Sequence, residues 1–166
     1  MNRRIKQFTP CARRLDLRMC KKRLRVIGTT NDAITEAEAK LNFKFSASFR
    51  NWLVHNNGLG FESISIFPVF DERDPRKIWD SIVRNYNENW LAWLENFEGE
   101  DLRLEHLLPF AEFGTGDYYC FDYSKIELNG ESPVVLWSHE TGETVFRCKN
   151  FEEFLEKLKH SHFEFD

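Results

Sequence analysis

The stretch from residue 107 to residue 121 narrows the fold more than any other part of this chain. Leu107–Phe113 is an apolar and aromatic run, the reversal Gly114, Thr115, Gly116, Asp117 follows, and residues 118–121 (YYCF) return as a second aromatic run. Two glycines permit the positive φ angles of a tight turn, so the pattern predicts an antiparallel hairpin. Val134–Trp137 is a compact β-branched and aromatic run, and Glu140, Thr141 and Gly142 turn the chain into Thr144–Cys148. These segments predict a meander. Ile64, Ile66, Phe67 and Val69 predict one more strand, interrupted or pushed to an edge by Pro68, which has no N–H to give a ladder.

Helical signals surround these strands. Thr35 with Glu38 three residues on has the form of a capping box for a short helix ending near Leu41, after which Asn42 tolerates a left-handed turn. Ser46 caps a second helix whose Phe49, Trp52 and Leu53, joined by Phe45, share one face, and Asn57 and Gly58 close it. Ile78, Trp79, Ile82, Val83, Tyr86, Trp90, Trp93, Leu94 and Phe97 keep a 3.6-residue period for about five turns, with Gly99 as the stop. On that reading its tryptophans are mostly core, and Trp90, beside Asn85, Asn87, Glu88 and Asn89, is the one expected to be partly exposed. Asn150 caps a last helix with Phe151, Phe154, Leu155 and Leu158 on one face. The fold class that follows is α+β: a single domain with an antiparallel sheet of about 4–6 strands and helices before, within and after it.

Composition sets the outer limits. A chain of 166 residues with 16 Phe and 5 Trp is too apolar for intrinsic disorder and long enough to bury a core. Cys11, Cys20, Cys120 and Cys148 form no CxxC pair, which points to a reducing compartment. No apolar run reaches the roughly 18 residues of a membrane span, so a cytoplasmic protein without membrane contact is expected. The net charge of -4 conceals a division. Residues 1–25 hold ten of the 23 Lys and Arg against Asp16 alone, so this arm carries +9 and the remainder, with 13 basic and 26 acidic residues, carries -13. The expected organisation is a basic helical arm (1–28), a body (29–159) and a frayed tail (160–166). In the arm, Thr9 caps, Pro10 suits the first helical position, Ala12, Leu15, Met19, Leu24 and Ile27 follow near-helical spacing, and Gly28 ends the helix in a left-handed conformation.

Taken in order, these segments resemble a known family. Residues 34–58 (ITEAEAKLNFKFSASFRNWLVHNNG), 107–122 (LLPFAEFGTGDYYCFD), 133–139 (PVVLWSH) and the helix 151–158 are similar to the successive motifs of the SUKH superfamily, the Smi/Knr-like family. Phe45 and Ser46 stand where that family commonly has a Leu-Pro pair, and the basic arm has no counterpart in it. The resemblance assigns structural motif positions to Glu38, Trp52, Gly58, Pro109, Gly114, Gly116, Asp117 and Trp137. It implies a non-catalytic immunity protein that neutralises a cognate toxin, in many cases a nuclease, or a regulatory protein-interaction module such as a regulator of cell-wall synthesis.

The residues themselves point to binding rather than chemistry. His55, His106, His139, His160 and His162 lie at no metal-ligand spacing, so no metal and no cofactor is expected. Cys120 sits between Tyr119 and Phe121 and reads as a small core residue. The Gly114–Gly116 reversal lacks the following helix and Lys of a phosphate cradle. An acidic body attracts basic partners, and the candidate contacts are the carboxylates Asp71, Glu72, Asp74, Glu95, Glu98, Glu100 and Asp101, with Trp90 and Asp117. Those carboxylates also read as a solvated surface, and Asp117 also as an acceptor within its turn. For the arm the readings are packing on the acidic body, resemblance to a transit peptide, or contact with nucleic acid or acidic lipid through residues 1–25, whose aromatic content is Phe8 alone.

Overall fold

The computed structural model describes residues 27–97, 104–114 and 116–159. The arm helix, the stop at Gly99 and the tail 160–166 lie outside the described residues.

Among the described residues six strands form one antiparallel sheet in chain order: β1 (Gly60–Phe61), β2 (Ile64–Ile66), β3 (Leu107–Phe113), β4 (Asp117–Asp122), β5 (Val134–Trp137) and β6 (Thr144–Cys148). The β3–β4 hairpin turns at this reversal, with Gly116 at φ 94, whereas Gly114 lies outside the left-handed region. Pro109 sits where the β3–β4 register shifts, which accommodates a residue that cannot donate to the ladder.

Helices α1 (Asn31–Leu41), α2 (Ala47–Asn56) and α5 (Phe151–Lys159) flank a compound segment made of a 3-10 turn (Pro75–Ile78), a short α3 (Ile82–Arg84), a π turn (Asn85–Trp90) and α4 (Leu91–Asn96). Side chains alternate across a strand, so neighbouring residues identify what lies on each face. Tyr119 packs on Phe154 of α5 at 5.0 Å, and Phe121 packs on Phe49 of α2 at 5.1 Å. Tyr118 and its cross-strand partner Trp137 instead meet Trp90, 6.2 and 4.9 Å away. The sheet is therefore covered by α2 and α5 on one face and by the Trp90 segment on the other. This explains why five consecutive residues are buried at the start of β3 and five at the end of β4, where a half-exposed sheet would alternate.

Ser46 caps α2 by accepting from the Phe49 N–H at 3.3 Å, and Asn150 caps α5 through the Glu153 N–H at 2.9 Å. Asn42 is left-handed at φ 57. Gly58 is needed twice over, for its φ of 80 and because a Cβ there would meet Pro68 at 3.0 Å.

Four expectations are corrected. The first helix is capped by Thr30, which accepts from the Ala33 N–H, and not by Thr35, whose hydroxyl donates to the Asn31 carbonyl inside the helix. Glu38 turns away from that role: buried, it accepts from the Phe45 N–H at 2.8 Å and from Arg50 at 2.6 Å, tying α1 to the start of α2. Gly28 is not left-handed. It is a glycine of close approach, since a Cβ there would lie 1.7 Å from the Val54 carbonyl oxygen. The long helix does not begin at Ile78: Ser81 caps α3, and the π turn resets the phase downstream. Trp90 is consequently 0% exposed, while Trp79, ahead of the cap, is 69% exposed. Last, the strand from Ile64 stops at Ile66, and the chain beyond it is held by the Asn57 side chain, which both donates to and accepts from the Val69 backbone.

Candidate functional site

The acidic loop after β2 is folded inward. Asp71 is buried and accepts from the Thr29 hydroxyl at 2.8 Å and from Arg73 Nη2 at 2.6 Å, and the Arg73 guanidinium is the main cause holding its carboxyl well below the usual carboxylate range. Asp74 is likewise buried, paired with Arg76 at 2.9 Å and lowered chiefly by that contact. Asp71 closes the loop onto Thr29, where the chain enters the domain, Asp74 is held within the loop by Arg76, and the solvated surface read from sequence applies to Glu72, which is exposed.

Glu95 is exposed on α4, while Glu98, Glu100 and Asp101 lie outside the described residues. Trp90 is enclosed by Tyr118 and Trp137, with its indole N–H buried and unpartnered, so it presents nothing to a partner. Asp117 sits in the hairpin and accepts from the His139 N–H at 3.1 Å, with His139 Nδ1 at 2.7 Å, which joins the β3–β4 turn to the end of β5. The remaining motif positions, Trp52, Gly58, Pro109, Gly114, Gly116 and Trp137, belong to the core and its turns.

Two surfaces that the candidate residues did not include emerge. The first is β6, whose outer side has no strand neighbour among the described residues. Its register places Val145 opposite Leu136 and Phe146 opposite Val135, so the two side chains leave on opposite faces of the sheet. Val145 is 53% and Phe146 61% exposed. A ladder edge with apolar residues on both faces is a template for another strand along Thr144–Phe146; beyond it the β5–β6 register shifts and the Arg147 carbonyl accepts from Lys157 at 2.7 Å. Glu140 and Glu143, both exposed, stand in the turn that leads into it. The signal was available: the last strand of a meander is an edge, and two adjacent apolar residues there cannot both face one core.

The second surface is a cleft between α1 and the Pro75–Ile78 turn, with Trp79 on its wall and the Arg84 guanidinium 4.3 Å above that ring. Its signal was Ser81, a cap that places Trp79 outside the helix.

Burial pushes the Cys120 thiol well up and the Cys148 thiol up to about 11, which holds both protonated and unreactive. No group of three or more His, Cys, Asp or Glu is placed to hold a metal ion, and no helix is long and apolar enough to cross a membrane, among the described residues.

Comparison with known proteins matches residues 28–157 to the SMI1 / KNR4 family (SUKH-1). Among solved structures, one described as "Crystal structure of protein from Pseudomonas syringae pv. tomato" is similar at 19% identity over 74% of this chain and 79% of its own, with a TM-score of 0.45. No curated protein matches.

Proposed function

We propose that this chain, which belongs to the SMI1 / KNR4 family (SUKH-1), is a non-catalytic immunity protein that binds and neutralises a basic toxin protein through the free edge of its sheet. The observation that carries the reading is β6: an edge without a strand neighbour among the described residues, with Val145 and Phe146 outward, on a chain whose charge is -13 once residues 1–25 are set aside. Backbone pairing along an edge supplies affinity, and alternate side-chain contacts supply selectivity. The acidic field of the whole chain outside residues 1–25, with Glu140 and Glu143 at the end of the edge away from Arg147 and Lys149, favours a Lys- and Arg-rich segment and raises its association rate by about 10 to 1000-fold. The exposed Glu72 and Glu95 contribute to the same field rather than to the contact.

The test is co-expression with the product of the adjacent toxin gene. A complex that survives gel filtration, with rescue of intoxicated cells, is expected. Neither complex nor rescue, with a partner drawn instead from signalling or cell-wall genes, would move the protein to the regulatory reading.

A further inference from the structure

The edge of β6, which has no strand neighbour among the described residues, fits a second copy of this chain. We propose that β6 pairs with β6 of another copy, antiparallel about a two-fold axis at Val145, in a weak homodimer. The inference rests on the reading of β6 as an open edge and not on a toxin; where a toxin strand adds there, it and the second copy exclude each other.

The backbone of β6 has the symmetry such a pair needs. The Ser138 N–H donates to the Glu143 carbonyl at 3.0 Å, so Glu143 and, by alternation, Val145 turn their backbone groups toward β5. Thr144 and Phe146 then turn theirs away from the sheet. With Val145 on the axis, Thr144 of each copy stands opposite Phe146 of the other, and each N–H meets the opposing carbonyl. The two residues with outward groups are thus each other's partners, as an isologous contact requires. The ladder is short, because past Phe146 the β5–β6 register shifts and Lys157 holds the Arg147 carbonyl at 2.7 Å.

The exposed side chains follow the same two-fold. Val145 meets its own copy on the axis, and Phe146 lies beside Thr144 of the other copy on the opposite face, so both faces of the joined sheet gain an apolar contact.

Charge selects the antiparallel arrangement. The edge opens with Glu140 and Glu143 and closes with Arg147 and Lys149. Glu143 and Arg147 form no ion pair among the described residues, and the Arg147 Nε is buried without a hydrogen-bond partner. Lys149 and Lys157 both lie in the field of Glu153, which leaves Arg147 as the unmet cation at that end. Glu143 and Arg147 stand at equal steps on either side of Val145, so the two-fold sets Glu143 of each copy against Arg147 of the other, where a parallel pairing would set like against like. Repulsion between two acidic chains and the short ladder keep the dimer weak, with a Kd on the order of tens of micromolar.

Sedimentation equilibrium of the full chain from micromolar to near-millimolar concentration, with charge exchange at the edge, tests the proposal. The parent is expected to pass from monomer to dimer, and Glu143→Arg, at an exposed position, to raise the dimer Kd at least about tenfold. Arg147→Glu should do the same, and an equimolar mixture of the two variants should recover the dimer, because one copy then carries only Arg and the other only Glu at the facing positions. Val145→Cys in a Cys11→Ser, Cys20→Ser background keeps the test intact if Arg147→Glu does not fold. A residue on the axis faces its own copy at about 4.5 Å between Cα atoms and should oxidise to a linked dimer at least about fivefold faster than Phe146→Cys in the same background. A parent that stays monomeric throughout, a mixture of folded variants no more dimeric than its components, or equal linking at 145 and 146 would overturn the homodimer. A monomeric parent that takes toxin on β6 would leave the proposed function standing, whereas an edge-paired dimer that binds no toxin would remove that function and support this inference.

Discussion

Strands β4 and β6 flank the same neighbour, β5, yet they serve opposite ends. In β4 the five residues from Tyr118 to Asp122 are buried. Phe121 stacks on Phe110 at 4.1 Å while Tyr118 meets Trp90 on the other face, so the strand's side chains belong to two packed layers. In β6 only Cys148 is buried, and Thr144, Val145 and Phe146 face solvent. Both strands carry large apolar side chains, aromatic in β4 and Val145 and Phe146 in β6. What separates them is position in the sheet: the helix layers cover the middle and reach the last strand only at its Arg147–Cys148 end, where Lys157 of α5 donates to the Arg147 carbonyl. Apolar residues in β4 stabilise the fold; the same residue types in β6 are available to a partner.

Substitutions on each side break or sharpen this contrast. The largest effect is expected in the layer over β4: Phe49→Ala empties a fully buried ring site against Phe110, Phe121 and Phe151 and should cost about 3 to 5 kcal/mol in urea denaturation. Glu38→Ala leaves the buried Phe45 N–H and the partly exposed Arg50 without their acceptor, which should cost about 1 to 3 kcal/mol.

Asp71→Asn has a pH signature. Because the folded carboxyl is lowered, chiefly by Arg73, its contribution is fully present above the unfolded value of about 3.9 and is lost as pH falls from there. The variant should therefore be less stable than the parent by about 1 kcal/mol at pH 7, a figure discounted for the half-exposed Arg73, and the gap should close below about pH 4 in paired melting curves. The smallest effect on stability is expected at the edge: Val145→Lys with Phe146→Glu should stay within about 0.5 kcal/mol of the parent. A loss as large as that of Phe49→Ala would mean that β6 belongs to the core after all.

Much of the fold was legible because local chemistry and tertiary context agree there. The Gly116 reversal, the Ser46 and Asn150 caps and the left-handed Asn42 each satisfy a backbone requirement that the residue alone can meet. The misreadings arose where a period or motif was continued past a local signal. Apolar spacing runs smoothly from Ile78 through Trp90, but the Ser81 cap and the π turn divide it, which exchanges the fates of Trp79 and Trp90. The Thr35–Glu38 pair has capping-box form, yet Glu38 does more by crossing to Arg50 and the Phe45 N–H. The candidate site was the least legible part. Acidic sequence does not show which carboxylates are consumed internally, as Asp71 and Asp74 are by arginines two residues away. Nor does it show where the helix layers end, which is what leaves Val145 and Phe146 open.

The central claim, that the partner adds to β6, is tested most directly by amide hydrogen exchange of the full chain alone and bound to the co-expressed toxin. The account predicts that new protection is concentrated at the Thr144–Cys148 amides, and that Val145→Lys with Phe146→Glu weakens the complex at least about tenfold with the fold intact. Protection elsewhere with β6 unchanged, or full affinity in the doubly substituted protein, would contradict it.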